Sequence, residues 1–599
     1  MSRNHQGARL SSTEQRLRLR APDDVMQLER LGSLHASRLS FVRSLVRQMA
    51  HEKWKITTTR FELDALGHGV AIYCLQTPGK RYHGVIFSQA LEDSARSDRV
   101  IAEAWDVTFG VVEGDVDDAL LEQMAANVPL QEAGRQHPRL LVLSRANRSL
   151  RNFASFLEAL SAGQQPDPEW LTRVGYLYRT TAVYGNGKFG IADYDRLKDN
   201  ADFHRPFSAQ MLGVYLLRHF SIQQIEHMAR ARAPETAAPL ATSLKRYLGI
   251  GNSTGLGMAP FLINHPQLVQ RWVESRELAL AEVTAQVPGE QERSRLLALL
   301  KRAETHLRQT VTDDHEQTQR NQATVASLPE LMTWLELVPL SPELWQELID
   351  WSHQQHGLEA QELVNTLLLE LYPSIVDRYE DLMAVEESLE LTPDMPLVHL
   401  KQVIETHYDW ALRVDFSLAE NRHWFWYRSV EKEEPRLGVR DREAGADKEM
   451  KLAIAPRVAD THAAISQYLE DHPRALVVEF LIQCPRHKDI VRRIQSMAST
   501  SFGEIRANLW ARDMKPMHLL RTKLSFFGAS RFDPKSDRWV RITLFQGAPL
   551  VEELNAEPQD PVAFDDWSFP LAPQIARTVL PEMTADPRQG NTTTVGGMS

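Results

Sequence analysis

The chain is predicted to be an α+β protein in which two mixed regions of helix and antiparallel strand flank a large helical middle. Three observations carry this. Runs rich in β-branched and aromatic residues follow one another closely between 54 and 88. From 205 to 390 apolar residues recur at i, i+3, i+4 spacing, and after 410 strand-like runs return. At 599 residues the chain exceeds what a single core supports. The expected division is a disordered arm at 1–20, an α+β domain at 21–204, a helical region at 205–392, a second α+β domain at 393–582 and a loose tail at 583–599.

The arm "MSRNHQGARLSSTEQRLRLR" holds no apolar stretch behind its charges, so no secretory signal is read there. Residues 23–51 follow, with Leu28, Leu31, Leu34, Leu39, Val42, Leu45 and Val46 near helical spacing. "WKITTTRFELD", "GVAIYCLQT" and "YHGVIFSQ" are parted only by "ALGH" and "TPGK". Connections this short force an antiparallel meander, because parallel neighbours need long crossovers. In the middle, "SAQMLGVYLLRHFSIQQIEHMARA", "PELWQELIDWSHQQHG" and "EAQELVNTLLLELYPSIVDRYEDLMAVEE" read as helices, with Gly357 placed as a C-terminal cap.

Strands are expected again at "WALRVDFSL", "HWFWYRSV", "RALVVEFLIQ", "KLSFFGAS" and "RWVRITLFQ". "HPRLLVL" (137–143) is echoed by "HPRALVV" (472–478), and residues 179–196 by 521–538, in the same order. That shared order suggests an internal duplication, with a cleft between two similar halves.

Composition excludes several classes. A 43% hydrophobic and 25% charged chain is of ordinary globular type, not a disordered one. Lys plus Arg number 68 against 79 acids, a net charge of −11, and no basic stripe stands out, so no nucleic-acid partner is expected. The longest apolar runs fall well short of the roughly 20 residues of a membrane span, so no membrane partner is expected either. Two cysteines, Cys74 and Cys484, are too few for a disulfide scaffold or a thiolate metal site and fit a reducing cytoplasm.

Three stretches carry candidate chemistry. The first is "GNSTGLGMAP", 251–260. Gly251, Asn252, Ser253, Thr254 and Gly255 match G-x-S-x-G, which would make Ser253 the nucleophile of a serine hydrolase. Only "YLGI" precedes it, where that motif needs a strong strand. The glycines do not follow the dinucleotide pattern, and no P-loop lysine is present. Residues 253–259, "STGLGMA", resemble the last glycine box of histidine-kinase ATP-binding domains, without the partner boxes. The preferred reading is a turn whose backbone N–H groups, with a helix starting near Pro260, cradle a phosphate or carboxylate.

The second is "YLYRTTAVYGNGKFGIADY", where Tyr178, Arg179, Thr180, Thr181, Asn186 and Lys188 cluster around glycines. A two-residue hairpin at Asn186-Gly187 accounts for the glycines but not for the Arg-Thr-Thr donors, which suit an oxyanion. The third is "HWFWYRSVEKEEPRLGVRDRE". An aromatic strand runs into Ser429, Glu431, Glu434, Arg436 and Arg440, and an apolar wall there can shift pKa values toward acid–base work.

Metal ligation is not expected. His353 and His356 sit at a helix C-terminus, where cationic histidine suits the dipole, and His219 and His227 match no ligand spacing. His204 and Arg205 in "FHRPF" line a pocket or merely break a helix. No motif demands a cofactor. The leading expectation is a soluble cytoplasmic enzyme, a lyase, isomerase or hydrolase, acting on a small anionic metabolite and open to homo-oligomerisation. Glu431, Glu434, Tyr178 and Lys188 would be proton carriers. Arg179, Thr180, Thr181, Asn186, residues 251–255, Ser429, Arg436 and Arg440 would bind substrate. The alternatives are a non-catalytic interaction protein docking through its helical middle, and the Ser253 hydrolase.

Overall fold

A computed structural model describes residues 17–91, 105–127, 137–180, 199–255, 266–383, 391–418, 454–505, 516–536, 539–556 and 566–574, with short pieces at 182, 190–192, 197, 421, 427–428 and 435–436. Its centre is one large sheet. Strands β1 (Lys55–Leu63), β2 (Gly69–Gln76), β3 (Arg81–Ser88), β4 (Val107–Glu113), β5 (Leu140–Arg148) and β6 (Tyr176–Thr180) follow one another across it, and β7 (Gly190–Ala192) also pairs with β5. Next come β8 (Gly249–Gly255), then β12 (Trp539–Leu544) and β11 (Arg531–Ser536) at the edge; β9 (Tyr427–Arg428) and β10 (Pro435–Arg436) pair separately. Among the described strands only β6 and β8 run parallel. The predicted meander is present, and its turns are closed locally. Asp64 Oδ1 accepts from the N–H groups of Leu66 and His68, and Thr77 Oγ1 accepts from that of Lys80.

The long crossover between β6 and β8 contains α3, Ser208–Arg232, which lies across β3 to β8 and is buried on nearly every side. Before it come α1 (Phe41–His51) and α2 (Leu150–Ser161). The opposite face of the sheet carries a smaller apolar cluster built from Ile72, Val85, Val112 and Leu140 with Leu120 and Met124. The helical middle comprises α4 (Pro266–Thr284), α5 (Glu290–Gln309), α6 (His315–Leu337), α7 (Leu344–Gln355) and α8 (Leu358–Leu371). Asp314 caps α6 through the N–H of Gln317. Gly357 is the N-cap of α8 at φ −73°, not the C-terminal cap expected.

The α+β class is as read, but several elements differ. The stretch expected as one helix at 23–51 is two single turns, an extended piece and α1. Its apolar residues are buried as expected, while "GSLHAS" interrupts the helix. After α9 (Leu397–His407) and α10 (Ile454–Asp471), the "RALVVEFLIQ" run is helical, α11 at Val477–Gln483. Glu479 accepts from the Leu476 N–H, a helix-start signal inside an apolar run that otherwise looks like a strand. "KLSFF" of "KLSFFGAS" belongs to α12, Pro516–Phe527, opened by a proline. "WALRVDFSL" begins with the short helix Asp409–Leu412. The paired echoes therefore take different forms. Leu140–Leu143 lies in β5 and Val477–Val478 in α11; Arg179 lies in β6 and Arg521 in α12. The duplication is not confirmed. No helix among the described residues is long and apolar enough to cross a membrane.

Candidate functional site

Two of the three predicted stretches meet. β6 and β8 are neighbours, with Arg179 opposite Gly251 and Thr180 opposite Asn252. The meeting is not the anion-binding turn expected, because Gly249–Gly255 is a strand whose backbone groups serve the ladders to β6 and β12. Ser253 pairs opposite Arg541 within this strand, which runs on to Gly255, so Ser253 does not sit at a strand-to-helix elbow. Asn252 is fully buried, and its Nδ2 donates to Thr180 O at 2.6 Å, while Thr180 Oγ1 donates to Arg145 O. These polar groups hold strands together.

Between Tyr176 and Arg179 the register slips, three residues of β6 advancing against two of β8, which is a bulge. Tyr176 and Tyr178, two apart in sequence, consequently serve different surroundings. The Tyr178 hydroxyl is buried, donating to Gln224 of α3 at 2.8 Å and accepting from Arg148 at 3.0 Å, and burial pushes its pKa up. Tyr176 lies over Gly251, where a Cβ would stand 2.5 Å from its ring. Gly251 is needed for that ring rather than for a ligand.

Around Tyr176 the sheet is cationic. Asp533 Oδ2 accepts from Arg541 (3.0 Å) and from Lys535 (3.0 Å), and Lys535 also reaches Asp313. Arg173, Tyr176, Arg531, Asp533 and Arg541 border a void of about 10 Å³, room for one water.

Arg531 also borders a larger cavity, of about 60 Å³, on the side of the helical middle. Besides β11, several segments converge there. The extended piece after the first helical turns brings His35, and the end of α5 brings His306. Gln317 and Asn321 come from α6, Glu359 from the first turn of α8, and Arg521 from α12. Leu34, Phe532 and Phe569 supply apolar wall. Burial alone would raise the Glu359 pKa, but Arg521 at 2.5 and 2.9 Å, His35 and Arg320 hold it down to about 2. His35 Nε2 is 3.9 Å from Glu359 Oε2 and makes no hydrogen bond; burial lowers its pKa, with Glu359 opposing. His306 places its two nitrogens 2.8 Å from Pro570 O and 3.1 Å from Ser530 O, and burial drives its pKa down to about 4. A neutral imidazole beside a fixed carboxylate can accept and return a proton.

Arg531 is the unusual member. It is only 6% exposed, its Nη groups donate to the carbonyls of Thr172 and Val311, and its Nε is buried without a partner. Among the described residues no carboxylate stands within ion-pair distance of it. Arg218 provides the contrast. It too is buried without a carboxylate, but its N–H groups donate to five carbonyls, those of Lys245, Arg246, Leu248, Ala548 and Pro549.

Of the remaining predicted residues, Thr181, Asn186, Lys188, Ser429, Glu431, Glu434 and Arg440 lie outside the described residues. Arg436 is in β10 opposite Tyr427, with its side chain likewise outside them, as are those of Ser253 and Thr254. His204 is exposed, with Nδ1 2.8 Å from Ala201 O, and Arg205 pairs with Glu380 and Asp381. No cluster of metal-ligating groups occurs among the described residues.

Sequence reading missed the His35 cavity and the ionic clasp that holds one of its walls. Glu362, fully buried, accepts from Arg20 and Arg30 and forms an ion pair with Arg276; Arg20 also binds Glu277. Arg43 binds Glu370, and Arg38 binds Asp377. A signal was present: basic residues at 20, 30, 38 and 43 face acids at 362, 370 and 377 that fall among the apolar positions of a helical stretch. Comparison with protein families, with curated proteins and with solved structures finds no match for this chain.

Proposed function

We propose that the chain is an enzyme acting on a small anionic substrate, a carboxylate or phosphate, by general acid–base chemistry in the cavity between His35 and Arg531. The observation that carries this reading is Arg531. A buried cation with no carboxylate within ion-pair distance is costly. Asp533 attracts Arg531 at longer range but is already held by Arg541 and Lys535, and Arg531 borders the cavity that His35, His306 and Glu359 also line. In the proposed roles the substrate anion neutralises Arg531 and His35 moves the proton. Glu359 stabilises the imidazolium that forms, and the apolar wall limits water. Elimination, isomerisation and hydrolysis all fit such a set. The location proposed is cytoplasmic, in keeping with the free thiols of Cys74 and Cys484.

Thermal shift of the full chain against carboxylates, sugar phosphates and nucleotides tests it. One class of anion should stabilise the protein, and the effect should vanish in Arg531→Gln. No response to any anion would remove the reading. A second reading, a non-catalytic interaction protein, is favoured by Leu337, 77% exposed at the end of α6 near the stacked Trp334–Trp351 pair. It predicts no ligand response and loss of partner capture in Leu337→Lys.

A further inference from the structure

The cavity also bears on the size of its guest, an inference that rests on the acid–base reading above. Its volume is about 60 Å³. One water needs roughly 10–15 Å³ of such space, so the cavity has room for a handful of waters. Pockets for drug-sized ligands run to roughly 300–1,000 Å³. A nucleotide or sugar phosphate cannot be enclosed here. The charge balance of the walls points the same way as Arg531 alone. Among the described lining residues the carboxylate is Glu359, already matched by Arg521 and Arg320, and nearby Asp533 is held by Arg541 and Lys535, which leaves Arg531 in surplus. Asn321, whose Oδ1 accepts from Gln317, keeps its amide N–H groups for an incoming oxygen. Phe569 contacts the rings of both His35 and His306, and its own carbonyl accepts from Arg302. An aromatic ring thus lines that side of the cavity.

We infer that the guest is a compact oxyanion of about four or five non-hydrogen atoms, phosphate or a two-carbon carboxylate bound as the small product of a hydrolysis, since neither has a bond to eliminate or isomerise, and that Arg531 with Asn321 selects it. Calorimetric titration of the full chain with phosphate, sulfate, acetate and adenosine monophosphate decides the matter. Saturable binding of phosphate or acetate is expected, at least ten-fold weakened in Arg531→Gln and in Asn321→Leu, with the monophosphate nucleoside not binding. The phosphate and acetate arms separate the two sources of the oxyanion. Asn321 is only partly buried, so its variant keeps the test alive should the Arg531 variant fail to fold. Nucleotide binding as tight as that of phosphate would overturn this inference while leaving the acid–base reading in place. Absence of binding by every anion would overturn both.

Discussion

The carboxylate of Glu359 and the guanidinium of Arg521 meet in a two-point contact of 2.5 and 2.9 Å across 162 residues of sequence. The pair joins the first turn of α8 to α12 and also receives Arg320 at 3.1 Å. Removing one partner of a buried pair leaves the other charge uncompensated, at a cost of about 3–5 kcal/mol. Glu359→Gln should therefore lower the urea-unfolding free energy by about 3 kcal/mol. The exposed Arg60–Glu62 pair is the control. Screened by water, it should change little in Glu62→Gln. Equal effects in the two variants would refute the view that the cavity wall depends on buried charge.

Acid should destabilise the protein in two stages. His306 is held by burial at about 4, below its ordinary value of 6.5, so the unfolded chain binds the proton first. Stability from this group is complete above pH 6.5 and is lost as pH falls toward 4. Glu359, lowered to about 2 from 4.5, adds a second loss between those values. Melting temperature should fall steadily from pH 6.5 to 4, and less steeply in His306→Gln. A melting temperature independent of pH in that interval would show that His306 is not buried neutral.

How far these features could be read in the sequence depends on range. The β1–β3 meander was legible because short turns and a concentration of β-branched and aromatic residues are local, and Asp64 and Thr77 close their own turns. Helices α3 and α7 were legible from their apolar spacing. α11 and α12 were not, because "LVVEFLI" and "LSFF" carry no periodicity that separates a buried strand from a helix. The approach of Arg179 to Gly251 could be guessed only as a convergence of polar stretches. The His35 cavity could not be guessed, since residues from many separate segments build it and none forms a motif. Gly251 shows the hazard most plainly. A glycine read as room for a ligand is room for Tyr176.

That last point can be tested directly. A Cβ at residue 251 would stand 2.5 Å from the Tyr176 ring, whose burial leaves it little freedom to move. Gly251→Ala should destabilise by about 2 kcal/mol, within the range of overpacking. At Gly79, where nothing lies within 4 Å, the same substitution should be neutral or slightly favourable. Chemical denaturation of both variants with unchanged slopes is the measurement. A tolerated Gly251→Ala would reopen the possibility that this glycine serves something other than packing.

Arg218 and Arg531 should respond in opposite ways to loss of charge, and the difference separates a structural arginine from a binding one. Arg218→Leu would leave five carbonyls between α3, the 245–248 segment and the 548–549 loop without their donor. Each unsatisfied buried group costs about 1–3 kcal/mol, and partial relaxation should leave a loss of about 4 kcal/mol. Arg531→Gln removes a desolvated charge that two carbonyls and, at longer range, Asp533 compensate. The unliganded protein should be no less stable, or slightly more so, as happens when a site that stores binding strain is relieved. Stabilisation by anions should disappear in the same variant. Denaturation with and without phosphate reads both effects. An Arg531 variant as unstable as the Arg218 variant would place Arg531 among the residues that hold the fold, and the surplus charge at the cavity would need no guest.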